Sequence, residues 1–181
     1  MKKMKMQNCK ISGLFMAECN LRSAAIEGCH IDCVHLKRVD MEKTRWAGSN
    51  LEEMEIEASS GEKSLWENCN LDALNLKDSS FSGSSWKGIR WNSSSVIDCN
   101  FRSSRIEDLV VLDLKVKSSN LSSIYALRIS GSGFDLDSVR LSRSRWVASS
   151  FSGSIFPVDV ILSDLDIVLD INGQIKSVDM P

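Results

Sequence analysis

The chain contains 181 residues, of which 43% are hydrophobic, and it carries a formal net charge of −2 at pH 7. This length suits one domain with enough apolar side chains for a core, and the near-balanced charge demands neither a nucleic-acid partner nor a strongly acidic function. Residues 1–9 include three lysines but no apolar run, which excludes a signal peptide. No stretch reaches the roughly 18 apolar residues of a membrane span. The expected location is the cytoplasm, with secretion by a signal-peptide-independent route left open.

A five-residue period runs through most of the chain. Of the 32 positions spaced by five from Met6 to Ile161, 30 are hydrophobic, and only Gly61 and Gly131 depart from the series. The positions two residues earlier, from 4 to 154, are small or apolar and never charged. A period of five matches neither the 3.6 of a helix nor the 2 of a strand. The pattern therefore indicates a repeat architecture.

Five segments show the repeat most clearly, and each reads Cys or Ser, then Asn, then Leu or Phe: 19–23, 49–53, 69–73, 99–103 and 119–123. These segments resemble the pentapeptide-repeat family, and the resemblance covers roughly residues 4–161. It implies an all-β fold, a right-handed quadrilateral parallel β-helix with four repeats in each coil. At twenty residues per coil, about eight coils are expected, with residues 1–156 as the β-helix domain.

Residues twenty apart should therefore lie directly above one another. Four of the five tryptophans, Trp46, Trp66, Trp86 and Trp146, fall in one such column and predict an internal stack. The residue two positions before each of them is Thr or Ser. A large indole beside a small hydroxyl is what a close-packed core would favour. A filled four-sided helix is also expected to leave no cavity.

Cysteine and histidine occur together between Cys29 and His35, which superficially suggests a zinc site. The five-residue register places Cys29 inside the helix, whereas His30, Cys33 and His35 point outward. We therefore expect no metal ligands, no cofactor and no disulfide framework.

Two sets of outward-facing residues are candidates for a partner surface. The first is acidic: Asp32, Glu52 and Asp72 stack as one candidate ladder, Glu42 and Glu62 make a second, and Glu53 lies nearby. Like charges one strand apart are mildly destabilising, so the ladder indicates either a binding function or a solvated surface relieved by neighbouring lysines. The second is an apolar set, consisting of Ile97, Val110, Leu112, Tyr125, Leu127 and Val147. Exposed apolar side chains indicate either a contact site or a local distortion of the repeat near Ala126 and Gly131.

The repeat fades at Pro157, so residues 157–181 are expected to form a C-terminal cap. Asn172-Gly173 lies between alternating apolar runs, which predicts a β-hairpin within 167–178. Capping matters because an open strand edge invites edge-to-edge growth. The tail is alternatively a dimerisation element that gives a homodimer.

No arrangement of base and nucleophile suggests catalysis, so the sequence favours a non-catalytic rod that binds an unidentified protein partner. It predicts no direct nucleic-acid or membrane partner. The family resemblance implies an alternative: its best-understood members are bacterial proteins that bind type II topoisomerases as DNA mimics and protect them from quinolones. Those members are strongly acidic, whereas residues 1–156 here hold 21 basic and 19 acidic residues. The acidic ladder and the acidic tail are the features that favour this alternative.

Overall fold

The computed structural model describes residues 4–133, 135–147, 150–152, 168–169 and 175–176, with side chains as far as Arg145. Every regular element in these residues is a β-strand, and the strands are numbered β1 to β23 in chain order. No helix among them is long and apolar enough to cross a bilayer. The predicted hairpin and the last predicted coil lie largely outside the described residues.

The first side of the molecule is an eight-stranded parallel sheet in which each strand pairs with the strand twenty residues further on. Its strands are β1 (Lys5–Gln7), β4 (Ala25–Glu27), β7 (Arg45–Ala47), β10 (Leu65–Glu67), β13 (Ser85–Lys87), β15 (Arg105–Glu107), β17 (Tyr125–Leu127) and β20 (Arg145–Val147). The described part of the helix therefore makes about seven turns of twenty residues. The predicted parallel β-helix is confirmed.

The second and third sides belong to one 13-stranded sheet. The second side contains β2 (Lys10–Ser12), β5 (His30–Asp32), β8 (Asn50–Glu52), β11 (Asn70–Asp72), β18 (Ser130–Ser132) and β21 (Ser150–Ser152). The third side contains β3 (Phe15–Ala17), β6 (His35–Lys37), β9 (Glu55–Glu57), β12 (Asn75–Lys77) and β19 (Asp135–Asp137). Two longer strands, β14 (Arg90–Ile97) and β16 (Val110–Lys117), run through the corner and join the two sides.

The fourth side has parallel bridges at single residues twenty apart, from Asn20 to Arg140, in place of continuous strands. Side-chain hydrogen bonds stabilise the turns on this side. A side-chain Oδ1 atom accepts a hydrogen bond from the backbone N–H two residues later at Asn20, Asp40, Asn100 and Asn120. Such local turns explain why Asn and Asp are frequent at this point of the coil.

The corners require a left-handed backbone. All 28 positions spaced by five from Asn8 to Arg143 have a positive φ, and 22 of them are not glycine. Because this conformation costs an L-residue roughly 1–2 kcal/mol, the stacked sheets must impose it. The other six positions are glycines, which provide the sequence signal for the corner.

The interior contains the predicted aromatic column. The ring centroids of Trp46 and Trp66 are 4.9 Å apart at 3°, and those of Trp66 and Trp86 are 4.6 Å apart at 4°. Trp146 continues the column in backbone register with Ala126, although its side chain lies outside the described residues. The register is continuous through Ala126 and Gly131, so no bulge interrupts the repeat there.

Serine hydroxyls also connect the coils inside the helix. The backbone N–H of Cys29 donates to Ser49 Oγ at 3.1 Å, and that of Val39 donates to Ser59 Oγ at 2.9 Å. Each acceptor lies twenty residues further on, and both hydroxyls in turn donate to the carbonyl two residues before them. The serines at the small inward position therefore accept hydrogen bonds from buried backbone N–H groups, in addition to fitting the limited space there.

The expectation of a fully filled interior is wrong. An apolar cavity of about 40 Å³ lies where the column changes from Trp86 to Ile106, and its walls include Trp91, Phe101 and Leu121. A second apolar cavity of about 250 Å³ opens at the first coil and is lined partly by Met4, Met6, Met16 and Met54. The first cavity reflects volume lost when an indole is replaced by a smaller side chain.

At the C-terminal end, β22 (Val168–Leu169) pairs antiparallel with β23 (Ile175–Lys176), which lies beside β21. Val168 is opposite Lys176, and Leu169 is opposite Ile175. Of these two short strands, β23 therefore lies next to the last described strand of the second side.

Candidate functional site

The acidic column on the second side consists of Asp32, Glu52 and Asp72, whose Cα atoms are in register in adjacent coils. Asp32 Oδ2 accepts a hydrogen bond from Ser12 Oγ at 3.2 Å. His30 Nδ1 lies 3.9 Å from Glu52 Oε1. Glu52 and Asp72 are exposed, so this column presents a line of carboxylates along one side of the rod.

Glu42 and Glu62 form the second acidic column, twenty residues apart and separate from the first. They lie on the fourth side, across the coil from the second. Glu42 forms ion pairs with Arg22 and, at 2.8 Å, with Lys43. The hydrogen bond from Lys43 holds the pKa of Glu42 below its usual value. The negative charge of Glu42 is therefore largely compensated by neighbouring cations. This agrees with the interpretation of the acidic residues as a solvated surface.

Glu53 lies at the corner between the second and third sides, close to Cys33. The Cys33 thiol donates to Asp32 Oδ1 at 3.2 Å and lies 3.3 Å from Glu53 Oε2. These hydrogen bonds, with Asp32 first, raise the pKa of Cys33 to about 11. The Cys33 thiol is exposed, whereas Cys29 is buried inside the coil. These two cysteines of the apparent zinc motif therefore do not face a common site.

A mixed cluster lies on the third side, and sequence reasoning missed that His35 joins its two carboxylates. His35 and Glu55 are in register in adjacent coils, as are Lys37 and Glu57. His35 Nδ1 lies 3.7 Å from Glu55 Oε2, and its Nε2 lies 3.6 Å from Glu57 Oε2. Lys37 Nζ donates to Glu57 Oε2 at 2.8 Å, and this bond lowers the pKa of Glu57. The available signal was the twenty-residue spacing between His35 and Glu55, combined with the outward position of both.

The structure divides the apolar candidate surface. Val110 and Leu112 stand together on β16 of the second side, with exposed fractions of 42% and 49%. Leu127 is half-buried on the neighbouring first side. Ile97 lies on the third side, in register with Lys77 and Lys117, and so belongs to a different surface.

Tyr125 is engaged within the first side. The guanidinium of Arg105 lies 5.1 Å from the centre of its ring, and Arg145 is its Cα partner in the next coil. Position 147 pairs with Leu127 through the backbone, and its side chain lies outside the described residues. The compact apolar feature is therefore the pair Val110 and Leu112, with Leu127 across the corner.

The backbone is similar to those of solved pentapeptide-repeat proteins. Rfr23, from the cyanobacterium Cyanothece 51142, aligns with a TM-score of 0.56 at 11% identity, over 59% of this chain and 86% of its own. QnrB1, a plasmid-mediated fluoroquinolone resistance protein, aligns in a trypsin-treated form with a TM-score of 0.56 at 10% identity, over 86% of this chain and 90% of its own. Full-length QnrB1 aligns with a TM-score of 0.50 at 13% identity, over 94% and 90%. No protein-family profile and no curated protein sequence matches this chain.

Proposed function

We propose that this chain, which has the β-helix fold of the pentapeptide-repeat proteins, is a non-catalytic rod that binds another protein through the surface formed by Val110, Leu112 and Leu127. The observation that carries the proposal is the exposure of Val110 and Leu112 on a regular strand. Burying the exposed half of one such side chain against a partner contributes roughly 0.7–1.5 kcal/mol, so the pair suits the centre of an interface.

Polar residues surround this pair, as they surround the apolar core of a typical interface. Val110 has Arg90 and Ser130 as its register neighbours, and Leu112 has Asn92 and Ser132. At the nearby corner, Arg128 donates twice to Asp108, at 2.5 and 3.0 Å. This rim supplies hydrogen-bonding groups for orientation around a small apolar centre.

Site-specific crosslinking tests the proposal. A photoreactive amino acid is placed at position 112 and, as the matched control, at position 65, because Leu65 is also 42% exposed but lies on the first side. We expect one protein to crosslink from position 112 in cells that express the chain, and its yield to fall when Val110 is changed to Asp. Equal crosslinking from both positions, or none from 112, would contradict the proposal.

A second candidate function is binding to a type II topoisomerase as a DNA mimic. The fold likeness to QnrB1, a fluoroquinolone resistance protein, and the carboxylate column Asp32–Glu52–Asp72 favour it. The test is DNA supercoiling by bacterial gyrase at micromolar concentrations of this protein, with and without a quinolone. Inhibition or drug protection that disappears in the D32N/E52Q/D72N variant supports this function, and unchanged supercoiling opposes it.

A further inference from the structure

We propose that His35, Glu55 and Glu57 form a Zn²⁺-binding site on the third side of the rod. One imidazole and two carboxylates come from adjacent coils, and their ligand atoms all lie within 4.8 Å of one another. Imidazole nitrogen and carboxylate oxygen are ordinary Zn²⁺ ligands, and three protein ligands leave a fourth position for water or for a group of a bound partner.

The fold brings these side chains together through its twenty-residue coil. Phe15, His35 and Glu55 occupy one column of the third side, and Lys37 and Glu57 occupy the parallel column two residues further along each strand. Tetrahedral bonds of about 2.0–2.1 Å place ligand atoms roughly 3.4 Å apart, so the largest separation in the cluster needs to shorten by up to about 1.4 Å. The Glu55 side chain is 48% exposed and has the rotational freedom to make this adjustment.

One atom of the cluster lacks a hydrogen bond. His35 Nε2 is shielded from solvent, although the His35 side chain as a whole is 31% exposed, and it lies 3.6 Å from Glu57 Oε2 without forming a hydrogen bond. The ring of Phe15 packs edge-on against the imidazole at 5.2 Å and 84°. A shielded polar atom without a partner costs free energy, and coordination to a metal ion would satisfy it. This is a second observation, independent of the acidic groups, that points to a ligand.

Lys37 competes with a metal ion for the Glu57 carboxylate, because its ammonium group lies 2.8 Å from Glu57 Oε2. The imidazole favours Zn²⁺ over Mg²⁺ or Ca²⁺, which prefer sites made entirely of oxygen ligands.

Asp32, Cys33 and Glu53 form a neighbouring cluster that could compete for the ion. Its thiol donates a hydrogen bond to Asp32 Oδ1 at 3.2 Å and lies 3.3 Å from Glu53 Oε2, so both carboxylates already have a polar partner. The two clusters are distinguishable because only one of them contains sulfur.

The test is competition between the full-length chain and a chromophoric chelator for Zn²⁺ at pH 7.5, with folding of each variant checked by circular dichroism. We expect one Zn²⁺ per chain, and the affinity should fall at least about tenfold in the H35Q and E55Q variants. The affinity should rise in the K37Q variant, because the competing ammonium group is removed. The matched controls H30Q and C33S should bind as the parent chain does.

Substitution of Co²⁺ for Zn²⁺ identifies the ligands directly. A nitrogen and oxygen site gives visible d–d bands without the intense near-ultraviolet absorption of a thiolate complex. Absence of Zn²⁺ binding by the parent chain would overturn the proposal. So would binding that survives H35Q, or binding that is lost in C33S together with a thiolate absorption band.

Discussion

The indole Nε1 of Trp66 donates a hydrogen bond to Ser64 Oγ at 2.9 Å, deep inside the helix. The same bond joins Trp46 to Thr44 and Trp86 to Ser84, at 3.1 and 2.7 Å. Trp91 has Ile89 in the corresponding position, and its Nε1 is buried with no hydrogen-bond partner. The hydroxyl two residues before a tryptophan is therefore a specific polar partner for the indole as well as a small neighbour.

Removal of this partner should be costly. We expect Ser64→Ala to lower the free energy of unfolding by about 1–3 kcal/mol, because the Trp66 N–H is left buried and unsatisfied. Urea denaturation followed by circular dichroism measures the change. The matched comparison is between Trp66→Phe and Trp91→Phe. Only Trp66→Phe removes an indole hydrogen bond, so it should lower the free energy of unfolding by more than Trp91→Phe does. Equal effects of these two substitutions would show that the hydrogen bond contributes nothing.

Gly61 and Phe81 share one space in adjacent coils. A Cβ at position 61 would lie 2.4 Å from Phe81 Cε1, and Phe81 is fully buried. Gly61→Ala should therefore destabilise the protein by roughly 1–3 kcal/mol through overpacking. In the Phe81→Leu background the same change should cost less, and a double-mutant cycle measures this coupling. Gly83→Ala, which has only Lys63 Cγ nearby at 3.7 Å, is the control and should not couple with Phe81→Leu.

Corner residues other than glycine retain left-handed strain that can be removed. Ala58 is exposed with φ of 49°, so Ala58→Gly should raise the free energy of unfolding by up to about 1 kcal/mol. Ala47 is the matched control, because it lies within strand β7. Ala47→Gly should lower stability by roughly 0.5–1 kcal/mol. Thermal denaturation of both variants checks the difference in sign, and a loss of stability in both would contradict the corner argument.

The interior is predictable from sequence because position in the repeat decides burial. Every fifth residue must be apolar, and the volumes of residues twenty apart must fit together. The column of Trp46, Trp66 and Trp86 follows from these two conditions. The cavity near Ile106 does not follow from them, because it depends on how far the surrounding side chains relax around a smaller residue.

The surface clusters are harder to predict because they combine residues from different coils with free choice of rotamer. His35 and Cys33 are close in sequence, yet each interacts with carboxylates of the next coil: Glu55 and Glu57 for His35, Glu53 for Cys33. A search for ligands along the sequence alone misses such partners. A search at offsets of 20 and 22 residues would find them.

The acidic environment of Cys33 should make its thiol slow to react. Thiolate is the reactive form, and a pKa of about 11 leaves roughly a hundredfold less thiolate at pH 8 than a pKa of 9 would. We expect the D32N/E53Q variant to react faster with a disulfide reagent at pH 8. The C33S variant measures the background from the half-buried Cys9 and Cys19, and the buried Cys29, Cys69 and Cys99 should not react in the folded protein. An unchanged rate in D32N/E53Q would show that the carboxylates do not control the thiol.

The ion pair between Asp108 and Arg128 should make part of the stability dependent on pH. The hydrogen bonds from Arg128 lower the pKa of Asp108 in the folded state. The stabilisation from the ionised Asp108 carboxylate is therefore fully present above the pKa of about 4 that Asp108 has in the unfolded chain. It is lost as the pH falls through the lower pKa that Asp108 has in the folded protein. The D108N variant should be less stable than the parent chain at pH 7, with the difference in urea midpoint shrinking towards pH 3. Asp113 is exposed at another corner, so D113N serves as the control and should show a smaller change with pH. A difference for D108N that stays constant between pH 7 and pH 3 would show that the pair does not contribute through its charge.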